Sequence, residues 1–387
     1  MPTVAHRWMF VVLWALCGVG VLAQAPAPEV WAKDMREEVL RTPVTVTNMF
    51  GRQETRSMPV TVFRPAGDGP HPLLVLNHGR AGGDKRAAQG RARFENTARY
   101  LVGKGFVVMV PTRIGYWETY GDFDPEEYGS CSRPNYGPRH KAVVDQVLAT
   151  VALAKTLPFV DASRWVVAGV SVGGVTAVAT VGRNPPGLVG GINFSGGSGG
   201  NPDATPGRPC RPDIQGKEWE ILAKTATAPM LWLYWQNDLY WGEEVPQQWH
   251  QAWVGAGAKA DFKSMAAIAT DGHFGMDRDM DHWLPLVDVF LNDLGFKQPA
   301  IVLRPAATRW AEVKDVSKVP LSAKSRTAGY DKFLAAEGPK AFAIGTQGGW
   351  GYATGDYVTG RALGFCQRSG QTCKLYAVDD QVVWTGQ

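Results

Sequence analysis

The sequence predicts an α/β protein: a mostly parallel sheet with helices on both faces, followed by a small α+β module. Three observations predict it. Short continuous apolar runs alternate with helical patterns over residues 44–294, which is how strands buried on both faces and their crossover helices read. One run, 164–170, leads through Gly169-Val-Ser171-Val-Gly173 into small, helix-compatible residues 173–180. After Phe296 the alternation stops, and a connector leads to an aromatic, glycine-rich segment with its own cysteine pair.

The elements follow in order. Residues 1–25 read as a signal peptide: Arg7 supplies the charged start, residues 9–21 the apolar stretch, and Ala23-Gln24-Ala25 the small-residue cleavage site. That apolar run is too short to span a bilayer, and Leu16 before Cys17 is too bulky for a lipid-attachment box. The expectation is a secreted or periplasmic protein with no transmembrane span. Residues 44–47 and 59–64 form an opening hairpin. Strands follow at 72–77, 106–111, 164–170, 188–194, 229–235 and 262–268. Helices are expected at 85–104, 138–157, 173–180, 247–254 and 281–294. In the 138–157 helix Val144, Val147, Leu148 and Val151 make one apolar face, and Gly295 stops the last one. Two stretches break the alternation and read as loops, 116–139 and 195–216.

The catalytic domain is therefore expected over 26–296, a linker over 297–328 and the small module over 329–387. Four cysteines remain after Cys17 leaves with the signal: Cys131, Cys210, Cys366 and Cys373. An even number in an exported chain suggests two disulfides, for which the sequence allows three pairings. Cys366 with Cys373 is the natural local pair, which leaves Cys131 with Cys210 to staple the two loops. No Cys-x-x-Cys or His/Cys ligand spacing appears, so no metal is expected. The formal net charge of +4 is mild and scattered, with no basic stripe, which argues against a nucleic-acid partner.

The strand–turn–helix around Ser171 is the context of a nucleophile elbow, in which a sharp turn holds a hydroxyl out beside a helix N-terminus. The pattern occurs a second time, at Gly196-Gly-Ser198-Gly-Gly200, but Asn201-Pro202-Asp203 follows it instead of a helix. Ser198 reads as loop. A serine needs a base, and the base an orienting acid, in the chain order Ser, Asp, His. Asp238 ends the strand that carries Leu231-Trp-Leu-Tyr-Trp235, and His273 follows the last strand in Asp271-Gly-His-Phe-Gly275. Flanking glycines let that loop carry the imidazole over Ser171. His71, His140, His250 and His282 read as structural, and Asp271 lies too near His273 in sequence to orient its ring from behind. The oxyanion needs preorganised donors. The backbone N–H of Val172 is one, and the Gly-rich loop Asn77-His-Gly-Arg-Ala-Gly-Gly83 offers that of Arg80.

Together Asn77-His-Gly, Gly-Val-Ser171-Val-Gly-Gly, Gln-Asn-Asp238-Leu-Tyr and Asp-Gly-His273 resemble the dienelactone hydrolase-like branch of the α/β-hydrolase fold, over roughly residues 42–296. The resemblance implies an eight-stranded sheet and ester hydrolysis without a cofactor. Two departures, Ser171 in place of that enzyme's cysteine and the export segment, point to a carboxylesterase acting on a small or polymer-linked ester. The C-terminal segment resembles small exported modules with a Trp-Gly motif and a cysteine pair. Substrate-binding candidates are His78 and Gly79, Tyr116 and Trp117 in the aromatic loop that also holds Tyr120, Tyr128 and Tyr136, and Tyr240 beside Trp241. A prolyl-oligopeptidase-like peptidase shares the triad order, but there is no room here for its β-propeller. A non-catalytic binding protein on the same fold is the alternative of a different class.

Overall fold

The computed structural model describes residues 32–297 and 305–386. The expected signal peptide lies outside the described residues. Strands β1 (Glu38–Thr47) and β2 (Gln53–Phe63) form an antiparallel hairpin. Its turn closes where the Asn48 side chain accepts the N–H groups of Phe50 and Arg52. Then follow β3 (His71–Asn77), α1 (Lys85–Ala88), α2 (Glu95–Gly103), β4 (Val107–Pro111), α3 (Tyr136–Ala154) and β5 (Val160–Val170). The second half continues with α4 (Val172–Arg183), β6 (Leu188–Phe194), α5 (Pro212–Ala223), β7 (Met230–Trp235), α6 (Glu244–Gly255), β8 (Ala260–Met265) and α7 (Met280–Asp293).

The eight strands make one sheet in the order β1-β2-β4-β3-β5-β6-β7-β8. The pairs β1/β2 and β2/β4 are antiparallel, and the others are parallel. This is the α/β-hydrolase arrangement that the sequence implies. The continuous apolar runs divide between two cores with a period of two, as strands require. Leu73 and Val75 of β3 face Val147 and Val151 of α3, Val175 and Val178 of α4, and Trp219, Trp249 and Trp253 of α5 and α6. Leu74 and Leu76 face Leu101 of α2 and Trp283, Leu284, Val287 and Leu291 of α7. Burying each such side chain contributes about 1.5–3 kcal/mol.

Two elements differ from expectation. The single helix expected at 85–104 is two pieces. Between them Gly90 and Phe94 take positive φ (76° and 49°), and Ala92 is fixed through Thr112 Oγ1 and Thr61 Oγ1. Arg91 and Arg93 reach the buried carboxylate of Glu37, so tertiary bonds override the helical pattern. Conversely, the loop expected to run to Gly216 ends at Arg211. Pro212 sits in the first turn of α5, where it needs no N–H partner, and Gln215, Trp219 and Ala223 form its buried face.

The C-terminal module is a four-stranded antiparallel sheet. Its strands are β9 (Lys340–Gly345), β10 (Trp350–Thr354), β11 (Cys373–Val378) and β12 (Gln381–Val382), in the order β10-β9-β11-β12, with helix α8 (Val358–Gln367) against it. Phe342 and Ile344 pack on one face with Tyr330, Phe333 and Tyr376, while Ala341 and Ala343 meet Ala362 of α8 on the other. Val319 and Leu321, within the expected linker, are buried in the first of these cores, so that stretch is not a free connector. Both disulfides form as the cysteine count suggests, Cys131–Cys210 and Cys366–Cys373. The module docks on the large sheet's helices. Arg99 of α2 bonds Gln367 (3.1 Å), Arg368 pairs with Glu95 (3.2 Å), and Asp356 accepts the N–H groups of Met280 and Asp281 at the start of α7. No described helix is long and apolar enough to cross a membrane.

Candidate active site

Ser171 stands between β5 and α4 with φ 57° and ψ −123°, a conformation that costs a non-glycine residue about 1–3 kcal/mol. The glycines around it are fixed by close approach. A Cβ on Gly169 would lie 2.2 Å from the carbonyl oxygen of Gly173, and one on Gly173 2.0 Å from that of Asn77. The loop after β3 crosses directly over the serine: a Cβ on Gly79 would sit 3.1 Å from Ser171 Cβ and 3.7 Å from its Oγ. Ser171, Val172 and Arg80 line one cavity of about 730 Å³ at this end of the sheet. The two proposed oxyanion donors thus share the cavity with the serine.

His273 and Asp238 come together, 35 residues apart in sequence. Nδ1 of His273 lies 3.0 Å from Oδ2 of Asp238 and 3.2 Å from Oδ1, and both residues are buried. Asp238 Oδ1 also accepts the N–H groups of Tyr240 (2.8 Å) and Trp241 (3.2 Å), which hold the carboxylate at its strand end. Asp271 does a different task. Its Oδ1 accepts the backbone N–H groups of His273 (2.9 Å) and Leu239 (3.0 Å), tying the two loops together without touching the ring. The glycines flanking His273 let its loop pack on Trp235: a Cβ on Gly272 or Gly275 would come within 2.5 Å of that side chain.

Among the expected substrate contacts, Tyr240 lines the cavity and Gly79 packs against Ser171, but His78, Tyr116 and Trp117 do not line it. His78 is buried, and both ring nitrogens are used. Nδ1 donates to Gly79 O, and Nε2 accepts the N–H of Arg113 (3.0 Å). Burial, then the Arg113 charge, push its pKa down to about 3, so the ring is a neutral pin for the oxyanion loop. Tyr116 is buried with its hydroxyl donated to Glu126 (2.6 Å). Burial pushes the Glu126 carboxyl upward, but Arg113 and Arg80 outweigh it and hold the pKa at about 2. Trp117 sits in the turn that follows Tyr116.

The cavity wall holds residues that sequence reasoning did not assign to it. Ser198 is buried and its Oγ accepts from Arg139 Nη1 (3.0 Å). Arg139 is buried at the first turn of α3, with Nε on the Glu126 carbonyl (2.8 Å) and its guanidinium over Tyr128 at 4.2 Å. Its Nη2 is buried without a hydrogen-bond partner among the described residues. Burial, then the charge of Arg80, lower its pKa. Among the described residues no group of three or more His, Cys, Asp or Glu could hold a metal ion.

The sequence model of the dienelactone hydrolase family matches residues 59–270, more than half of the chain and all of the sheet from β3 to β8. The chain belongs to the dienelactone hydrolase family. Solved structures resemble this family member. A dienelactone hydrolase-like protein from Klebsiella pneumoniae subsp. pneumoniae is 19% identical, with a TM-score of 0.40, covering 62% of this chain and 90% of that one. Esterase Pf2001 of Pyrococcus furiosus is 14% identical, with a TM-score of 0.45 and coverage of 69% and 94%. The acylaminoacyl peptidase of Pyrococcus horikoshii is 13% identical, with a TM-score of 0.47, and this chain covers 43% of it. No curated protein matches the chain. The family is one of hydrolases on the α/β-hydrolase fold, and the site above stands where that fold carries its chemistry, at the carboxyl ends of the strands.

Proposed function

We propose that the protein is an exported serine esterase that cleaves carboxylic esters through an acyl-enzyme. The observation that carries this reading is the strained Ser171 in the cavity lining, on a turn that only close glycine packing permits. The bond between His273 and Asp238 supports the rest of the relay. Ser171 Oγ attacks the ester carbonyl carbon while its proton passes to Nε2 of His273. Nδ1–H remains bonded to Asp238. The C=O π pair moves onto oxygen, which accepts from the N–H groups of Val172 and Arg80. When the intermediate collapses, the C–O bond breaks and the imidazolium returns its proton to the leaving alcohol. A water molecule, deprotonated by the same ring, then releases the acid and restores the serine. Export is supported by the sequence of residues 1–25 and by the two disulfides.

A fluorophosphonate probe and p-nitrophenyl acetate test the reading. The parent protein is expected to be labelled and to hydrolyse the ester. Ser171→Ala is expected to lose both, whereas Ser198→Ala retains labelling. Full activity in Ser171→Ala defeats the assignment, and absence of labelling in the folded parent favours a binding protein.

A further inference from the structure

The imidazole of His273 has a partner that the relay does not use. The ring of Tyr240 lies face to face with it, centroids 3.8 Å apart and planes 23° apart. The Trp241 ring meets the imidazole edge-on at 5.5 Å and 68°, which closes a second side. Both aromatics come from the turn whose backbone N–H groups hold the Asp238 carboxylate. One four-residue turn, Asp238 to Trp241, therefore supplies the acid, fixes one of its oxygens and walls the base.

We propose that Tyr240 is a positioning residue for His273: its ring face fixes the imidazole plane and stabilises the imidazolium formed when the base takes the serine proton. This rests on the Ser171, His273 and Asp238 reading given above. An aromatic face is the negative side of the ring quadrupole and attracts a cation, and a stacked neutral imidazole gains less. The contact is thus stronger after proton transfer than before it, which is the condition for accelerating the step. A flat ring in contact also opposes rotation of the imidazole, so Nε2 keeps its direction while Nδ1 stays on Asp238. Among the described residues, Asp238 bonds the imidazole at Nδ1 and Asp271 bonds the backbone N–H of the same residue. Burial, with the charges of Asp271, Asp238 and Asp203, raises the Tyr240 pKa, so the phenol stays neutral where the base works.

The test uses the full chain with Tyr240→Leu, Tyr240→Phe and pentafluorophenylalanine at position 240. The readouts are the pH profile of kcat/KM for p-nitrophenyl acetate and the NMR titration of the His273 ring, which does not depend on turnover. Tyr240→Leu is expected to lower kcat about three- to tenfold with little change in KM. It also moves the acid limb and the imidazole titration to lower pH by about half a unit to one unit. Tyr240→Phe restores both, and the fluorinated ring, equal in shape but with a reversed quadrupole, does not. An unchanged titration in Tyr240→Leu, or full recovery with the fluorinated ring, overturns the proposal. A rise in KM alone makes Tyr240 a substrate contact and overturns it as well. Failure of the triad reading is separate, because it appears as an unlabelled Ser171 in the parent.

Discussion

Asp238 reaches Nδ1 of His273 with both carboxylate oxygens, at 3.0 and 3.2 Å, while one of them also accepts two backbone N–H groups. An acceptor so held fixes the tautomer: Nδ1 carries the proton and Nε2 is left to receive one. Asp238→Asn keeps the shape but offers an amide N–H where the ring needs an acceptor. The expected result is a fall in kcat of about 10⁴ with KM nearly unchanged. Steady-state kinetics on p-nitrophenyl acetate check it, and a loss of less than tenfold would remove Asp238 from the relay.

Glu126 predicts an acid-side stability profile. It is fully buried, bonded to Arg113 Nε at 2.6 Å and to the Tyr116 hydroxyl. Its pKa lies at about 2 against an ordinary 4.5, because the opposing cost of burial is outweighed by Arg113 and Arg80. A depressed carboxyl stabilises the fold above its unfolded pKa, and that stability drains away as pH falls toward the folded value. Glu126→Gln is expected to cost about 3–5 kcal/mol at pH 7, since Arg113 is left buried and unpaired. The gap between parent and variant should then narrow between pH 4.5 and 2, read by urea unfolding across that window. A gap that does not change with pH contradicts the assignment.

The elements legible in the sequence are those fixed by local pattern. Strands buried on both faces must read as apolar runs, and Leu73 to Leu76 divide between the two cores accordingly. The glycines beside Ser171 and His273 mark real close approaches, and Asp238 and His273 follow the last two strands of the large sheet, in loops that meet. Arg139 was not legible. A charged residue at the start of an amphipathic helix reads as a solvated one, and its burial depends on Glu126 and Tyr128, in the loop ahead of the helix, and on Ser198, 59 residues further along the chain. His78 misled for the opposite reason. Its place beside the oxyanion loop suggested a substrate contact, but its ring points at the Arg113 backbone.

Arg139 carries a prediction about ligands. Arg139 lines the same cavity as Ser171, and its Nη2 is buried without a hydrogen-bond partner among the described residues. A buried donor on a cation gains about 1.5–3 kcal/mol from an acceptor. A carboxylate is the acceptor that also matches the charge. Benzoate is therefore expected to inhibit ester hydrolysis competitively, and Arg139→Met to weaken it at least tenfold while inhibition by benzyl alcohol is unchanged. Equal weakening of both ligands would mean that the side chain shapes the cavity and does not select charge.

The last prediction concerns the small module. Asp356 precedes α8 and places its carboxylate on the first N–H groups of α7, at Met280 and Asp281. Those groups have no partner within their own helix, and an acceptor there also meets the positive end of the helix dipole. The segment it holds lies just after His273. Asp279, at the same helix start, accepts from the indole of Trp235, three residues before Asp238. The module thus braces the segment that follows the base and that Asp279 ties to the end of the strand before the acid. Asp356→Ala should cost about 0.5–2 kcal/mol, as loss of a helix cap does, and Asp356→Asn less. Hydrogen exchange is the direct measurement. The Met280 and Asp281 amides should exchange faster in Asp356→Ala, with kcat lowered and KM held. If those amides keep their protection, the module does not brace the site, and its packing against α2 through Arg99 and Arg368 is structural only.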